Sequence, residues 1–279
     1  MRCFVLAALL PLAAWAAAPG LEIVKPSLSL TEDGVPDASG FEYFQGQTLY
    51  LSCRVSGAKQ GEQRNIDLKY SVQAFDPRGV PLDQVYENEV KDELLPQDKD
   101  WMPKIAVGLV IPPLVLPGEF KIVVKAQDLL AQTSAELTIP FRVRGRDVKP
   151  PDILTIRDMR FFHSENDSQT MIDPVYRVGE ELWCGFDIIG YKYGPNNKVS
   201  VGYVTSILSP SGAVLWKQDA PAQADTESFY PKPYLPATMS LTTKGVKPGT
   251  YTMLVQATDS VGDQKAEARK DFRVEAAKQ

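Results

Sequence analysis

The chain repeats itself, and the repeat limits the folds open to it more than any other feature. PGEFKIVVKAQD at 117–128 returns as PGTYTMLVQATD at 248–259, 131 positions on, and Phe141-Arg142-Val143 returns at the same offset as Phe272-Arg273-Val274. Upstream the offset is 133: Tyr43-x-x-Gly46 matches Tyr176-x-x-Gly179, Tyr70 matches Tyr203, and Gly79 matches Gly212. One small length change reconciles every match. An ordered series of this kind predicts an internal duplication, with one copy over 19–146 and the other over 147–279. They meet at RGRDVKPPD, whose paired prolines make a short, stiff connection.

Each copy reads as all-β. Apolar residues alternate in Leu49-Leu51-Cys53-Val55, in Leu68-Tyr70-Val72-Ala74 and in Phe120-Ile122-Val124-Ala126, the period of strands with one buried face. Turn clusters punctuate these runs: Asp76-Pro77-Arg78-Gly79, Pro117-Gly118, Ser209-Pro210-Ser211-Gly212 and Pro248-Gly249. About seven short strands per copy is the layout of a β-sandwich. The segment P-G-x-[FY]-x-x-x-V-x-A-x-D resembles the penultimate strand of bacterial immunoglobulin-like and cadherin-like domains. The resemblance implies two tandem immunoglobulin-like sandwiches, with Tyr251 as a corner tyrosine whose hydroxyl bonds back to the chain. Ile122 and Met253 stand where antibody domains place their second cysteine, so no disulfide joins the sheets within a copy. Asp128 and Asp259 match aspartates that hold calcium in cadherin-like domains. The basic linker lacks the acidic cluster calcium needs, and an Asp at this place caps the following turn through its own backbone, so no metal is expected.

Met1-Arg2, the apolar run CFVLAALLPLAAW and then Ala16-Ala17-Ala18 predict a secretory signal peptide over 1–18, cleaved after Ala16 or Ala18. The run is too short to span a bilayer, and no later stretch is apolar for long enough to cross one, so an extracytoplasmic protein without a membrane span is expected. The formal charge of −5 is spread without a basic patch, which argues against a nucleic-acid partner. Outside the leader only Cys53 and Cys184 remain, each on the inward face of a strand in a different copy and too far apart to bridge.

Catalytic patterns are missing. His163 is the one histidine, and the sequence has no G-x-S-x-G elbow, no H-E-x-x-H and no P-loop. No cofactor is expected. Carboxylate pairs acting without histidine stay as a minor alternative.

Copies of one fold share what the fold needs, so their differences point to function. Before the shared motif the first copy reads IPPLVLPG, with Leu114, Val115 and Leu116, where the second reads TTKGVKPG. The second copy is rich in aromatics at its linker-side loops: Tyr191, Tyr193, Phe229, Tyr230 and Tyr234. Two readings fit. The Leu-Val-Leu loop packs on the aromatic end as an interdomain junction, or the aromatics form an open cleft for a protein or glycan ligand. The apolar row Ile105, Val107, Leu109 and Ile111 predicts either a sticky exposed strand or a bulge that turns the row inward. Together these features predict an exported, non-enzymatic binding, adhesion or envelope-scaffolding module. The alternative is a periplasmic chaperone, which also pairs two such domains.

Overall fold

The computed structural model describes residues 20–95, 97–98, 101–167 and 169–277, so the expected leader and its cleavage sites lie outside the described residues. The first half holds β1 (Glu22–Ser29), β2 (Glu42–Phe44), β3 (Thr48–Ser56), β4 (Asn65–Phe75), β5 (Tyr86–Glu93), β6 (Lys104–Val110), β7 (Gly118–Asp128) and β8 (Thr133–Arg144). The second holds β9 (Thr155–Phe162), β10 (Val175–Arg177), β11 (Glu181–Ile189), β12 (Val199–Leu208), β13 (Val214–Lys217), β14 (Ala222–Thr226), β15 (Leu235–Thr242), β16 (Gly249–Asp259) and β17 (Gln264–Glu275). The protein is all-β. No helix among the described residues is long and apolar enough to cross a membrane.

Both halves use one plan. Sheet β1-β3-β6 faces sheet β2-β8-β7-β4-β5 across one core, and β9-β11-β15 faces β10-β17-β16-β12-β13, with β14 continuing the edge beside β12. The shared motif forms the same hairpin twice, pairing Gly118 with Val143 through to Asp128 with Thr133, and Gly249 with Val274 through to Asp259 with Gln264. Alternation explains the packing. Phe120, Ile122, Val124 and Ala126 are buried, as are Tyr251, Met253, Val255 and Ala257, while the residues between them face outward or lie at half depth, except Leu254, which is buried as well. The corner tyrosine is in place, with the Tyr251 hydroxyl donating to the Lys247 carbonyl at 2.6 Å.

Strand β6 resolves the apolar row of the first half. Ile105, Val107 and Ile111 are buried and Ala106 and Gly108 face outward, while β3 and β6 pair without a register shift from Arg54–Lys104 to Thr48–Val110. Plain alternation turns the row inward, so no bulge is involved. The Tyr50 ring covers the outward face at Gly108, where a β-carbon would sit 3.2 Å from it.

The aspartates that end β7 and β16 act on backbone. Asp128 Oδ2 accepts from Lys59 N at 2.6 Å, and its Oδ1 accepts from Leu130 N at 2.8 Å and Ala131 N at 2.9 Å. Asp259 repeats the arrangement with Lys192 N at 2.8 Å and Val261 N at 2.9 Å. Each carboxylate thus caps its own hairpin turn and ties the loop after β3 or β11 to it.

Cys53 and Cys184 are free thiols buried in different cores. Burial pushes Cys53 up to about 11 and Cys184 up to about 12, so both stay protonated well above neutrality. The folded protein is therefore expected to resist a thiol reagent at pH 8, and Cys53 and Cys184 to label together on denaturation without reductant. Rapid labelling of the native chain, or a disulfide between the two, would contradict this placement.

Candidate functional site

The loops of the second sandwich nearest the linker are knitted to one another. Tyr191 and Tyr193 follow β11 and both donate their hydroxyls to the Lys232 carbonyl at 2.6 Å, their rings edge to face at 5.4 Å. Asn197 Nδ2 donates to the Ser228 and Phe229 carbonyls at 3.0 Å each, and Ser228 Oγ donates to the Tyr230 carbonyl at 2.7 Å. These bonds pin 227–234 against 190–198. Burial and the neighbouring Tyr193 raise the Tyr191 hydroxyl, which stays protonated as a donor.

This geometry divides the five aromatics. Tyr191 is 1% exposed, so it has no face to offer a ligand and serves the loop framework instead. Tyr193 is half-buried on the same carbonyl. Phe229 and Tyr234 keep open ring surface, at 38% and 44% exposed. Tyr230 leaves its own sandwich. It packs with the core of the first sandwich, 6% exposed, and its hydroxyl donates to the Val80 carbonyl at 3.3 Å.

The receiving surface is the turn between β4 and β5. Asp76 organises it: Oδ1 accepts from Arg78 N and Val80 N at 2.8 Å each, and Oδ2 accepts from Arg78 Nε at 2.9 Å. Asp76 is buried while Arg78 reaches into solvent. Burial alone pushes the Asp76 carboxyl up, yet the Val80 N–H, the Arg78 guanidinium, the Tyr230 hydroxyl and the Arg78 N–H outweigh it and hold the group below the usual carboxylate range. Burial, then the Asp76 charge, raises the Tyr230 hydroxyl. A buried carboxylate thus stands beside an aromatic hydroxyl from the other sandwich.

The linker is seated at both ends. Gln45 Nε2 donates to the carbonyls of Val115 and of Arg146, the latter at 2.8 Å, while Arg146 N donates to Gln45 Oε1 at 3.1 Å. A β-carbon on Gly145 would overlap the Gln45 amide, so a side chain there would have to displace Gln45 from the linker. At the far end Gly190 has φ +75° and lies against Ile153, whose carbonyl oxygen a β-carbon would strike.

The sequence analysis set Leu114, Val115 and Leu116 against the aromatic loops of the second half, and Val115 and Tyr230 lie in one buried core cluster. Val115 belongs to the core of the first sandwich, where it is buried. Leu114 is half-buried and Leu116 is 43% exposed. Three adjacent apolar letters in a loop say nothing about which of them turns inward, and here the middle one does. Asp76, Arg78 and Gln45 were missed. The signal was available: Asp76-Pro77-Arg78-Gly79 aligns with Ser209-Pro210-Ser211-Gly212, and Gln45 aligns with Val178. In the second copy the same turn is held by Ser209 Oγ, which accepts from Ala213 N at 3.0 Å and meets Ser211 Oγ at 2.8 Å. The bond from Val80 N to Asp76 is the counterpart of the bond from Ala213 N to Ser209, and the second oxygen of Asp76 is taken by the Arg78 guanidinium.

Fold and site define a two-sandwich all-β protein with a built joint, and no group of three or more metal-ligating side chains gathers among the described residues. No family model matches the chain, and no curated protein matches it. Among solved structures it is similar to the native conformation of E. coli alpha-2-macroglobulin, with 10% identity and a TM-score of 0.28. That match covers 92% of this chain and 17% of the other, so the chain spans about a sixth of that protein's length.

Proposed function

We propose that this chain is an exported, non-enzymatic binding module of two immunoglobulin-like sandwiches that arose by duplication, serving adhesion or envelope scaffolding. The observation that carries the reading is the joint. Tyr230 on the turn at Asp76, with a linker seated through Gln45 and Gly190, gives the two sandwiches a set spacing and angle. A fixed spacing between two surfaces is useful for presenting or bridging partners. The buried carboxylates Asp128 and Asp259 spend their oxygens on backbone N–H groups, and Asp76 divides its own between backbone N–H groups and the Arg78 guanidinium, which is structural use rather than acid–base use. Phe229 and Tyr234 offer the open aromatic surface that a protein or glycan ligand would contact.

Export and binding are tested together. Produced in its native host with its own leader, the protein is expected outside the cytoplasm with Ala17 or Pro19 at its N-terminus. The purified protein is then expected to bind saturably to one component of an envelope extract, and Phe229→Ala with Tyr234→Ala to weaken that binding. A mature protein that keeps Met1 and stays in the cytoplasm would refute export. Saturable turnover of an extract component would refute the non-enzymatic reading.

A further inference from the structure

Strand β8 is flanked by β7 along its whole length, but on its other side β2 pairs only with Arg142–Arg144. Thr133–Phe141 therefore present a row of backbone donors and acceptors that meets no strand of the sheet among the described residues, with Pro140 lacking an N–H. The second sandwich has the same gap, since β10 covers only Arg273–Glu275 of β17. The two edges are guarded differently. Over the open stretch β17 carries Lys265, Glu267, Arg269, Lys270 and Asp271, and Lys270 Nζ crosses to the facing sheet to donate to the Met159 carbonyl at 2.6 Å. Such charges, and a plug of this kind, are how sheet edges avoid pairing with foreign strands. On the open stretch of β8 the one charged residue is Glu136. Where β17 turns Ala266, Ala268 and Lys270 inward, β8 turns Ala135, Leu137 and Ile139, all only half-buried. Beside Ile139 a groove of about 880 Å³ opens between β1 and β8, with Leu28 and Phe41 on its walls together with the charged Lys25, Asp37, Glu119 and Arg142.

We propose that the first sandwich captures an extended peptide strand on this edge. The peptide backbone pairs along Thr133–Ile139, and one apolar side chain seats between Leu28, Phe41 and Ile139. The unpaired backbone row specifies a strand rather than a helix or a sugar, and the inward row Ala135, Leu137 and Ile139 specifies a peptide apolar at alternate positions. The inference rests on the binding-module reading and names a partner class for it.

The test uses the full mature chain and a labelled synthetic peptide that alternates valine and threonine between terminal lysines. It is expected to bind one to one and to slow deuterium exchange at Thr133–Ile139. Ile139→Lys copies what the second sandwich already carries at that position, so the fold accommodates it. The variant is expected to lose about tenfold or more in affinity, because an ammonium in an apolar seat is costly. Lys270→Ile is expected to open the edge of β17 and raise the stoichiometry toward two. Affinity unchanged in a folded Ile139→Lys, protection appearing elsewhere, or no binding of the peptide at all would each overturn the proposal. So would light scattering that shows the edge occupied by a second copy of the chain. If the envelope component still binds when the peptide does not, strand capture is wrong and the binding-module reading stands.

Discussion

Asp128→Ala is expected to destabilise the first sandwich by about 3–5 kcal/mol, the largest loss from any single side chain considered. Three backbone N–H groups, those of Lys59, Leu130 and Ala131, converge on this one carboxylate, and Asp128 is buried. Alanine leaves all three without an acceptor and opens no path for water to replace it. Each orphaned donor costs about 1–3 kcal/mol, and the loop after β3 relaxes to recover part of the sum. Asp128→Asn keeps one good acceptor oxygen and should fall between wild type and alanine. Asp259→Ala removes the acceptor of two N–H groups, those of Lys192 and Val261, so its effect should be smaller and confined to the second sandwich. Chemical denaturation with a probe in each half would separate the two transitions. Calcium at millimolar concentration should leave both unchanged, because the carboxylate is already occupied by backbone donors. Asp128→Ala costing less than about 1 kcal/mol, or a calcium-induced rise that Asp128→Asn removes, would show that the carboxylate faces a cation instead.

These aspartates also mark how far the sequence could be read. The motif placed them at the end of a strand in both copies, and turn chemistry assigned them to the backbone, because an Asp side chain reaches N–H groups two and three residues on. The bond from Lys59 or Lys192 joins segments 69 or 67 residues apart and left no local trace. The same divide runs through the whole chain. Inward rows such as Phe120-Ile122-Val124-Ala126 were legible because a strand buries every second residue, and burial is the one constraint that composition records directly. Loops have no such period. Leu114, Val115 and Leu116 are equally apolar as letters, and only the path of the turn decided that Val115 goes inward. Tyr191 and Tyr230 were equally aromatic, yet one braces a loop from within and the other crosses to the neighbouring sandwich. Comparison of the two halves drew attention to the 111–118 loop and passed over the turn at Asp76. Asp76-Pro77-Arg78-Gly79 differs from Ser209-Pro210-Ser211-Gly212 by charge, not by hydrophobicity, so a comparison of apolar letters passes over it.

Tyr230→Ala is expected to uncouple the sandwiches while leaving each folded. The ring is almost wholly buried against the first sandwich, and full burial of a side chain of this size contributes about 2–3 kcal/mol. A short linker keeps the two halves close after the substitution, so the loss should appear as motion rather than dissociation. Small-angle scattering should show a larger, broader shape, and the segment Asp147–Ile153 should become a protease site. Tyr230→Phe keeps the ring and removes only the hydroxyl, so it should cost about 1 kcal/mol. A double-mutant cycle between Tyr230→Phe and Asp76→Asn should give a non-zero coupling, since the hydroxyl and the carboxylate sit together. Acid gives an independent reading of the same contact. The Asp76 carboxyl is held below its ordinary value, so what it contributes is complete at neutral pH and is lost only as pH falls below about 4 toward its folded value. Leu114→Ser with Leu116→Ser serves as the opposing case, because Leu116 is largely open and neither residue holds Tyr230 by a hydrogen bond. That pair should leave scattering and protease resistance unchanged. If instead it loosens the protein and Tyr230→Ala does not, the joint is carried by the 111–118 loop, and the turn at Asp76 serves only its own sandwich.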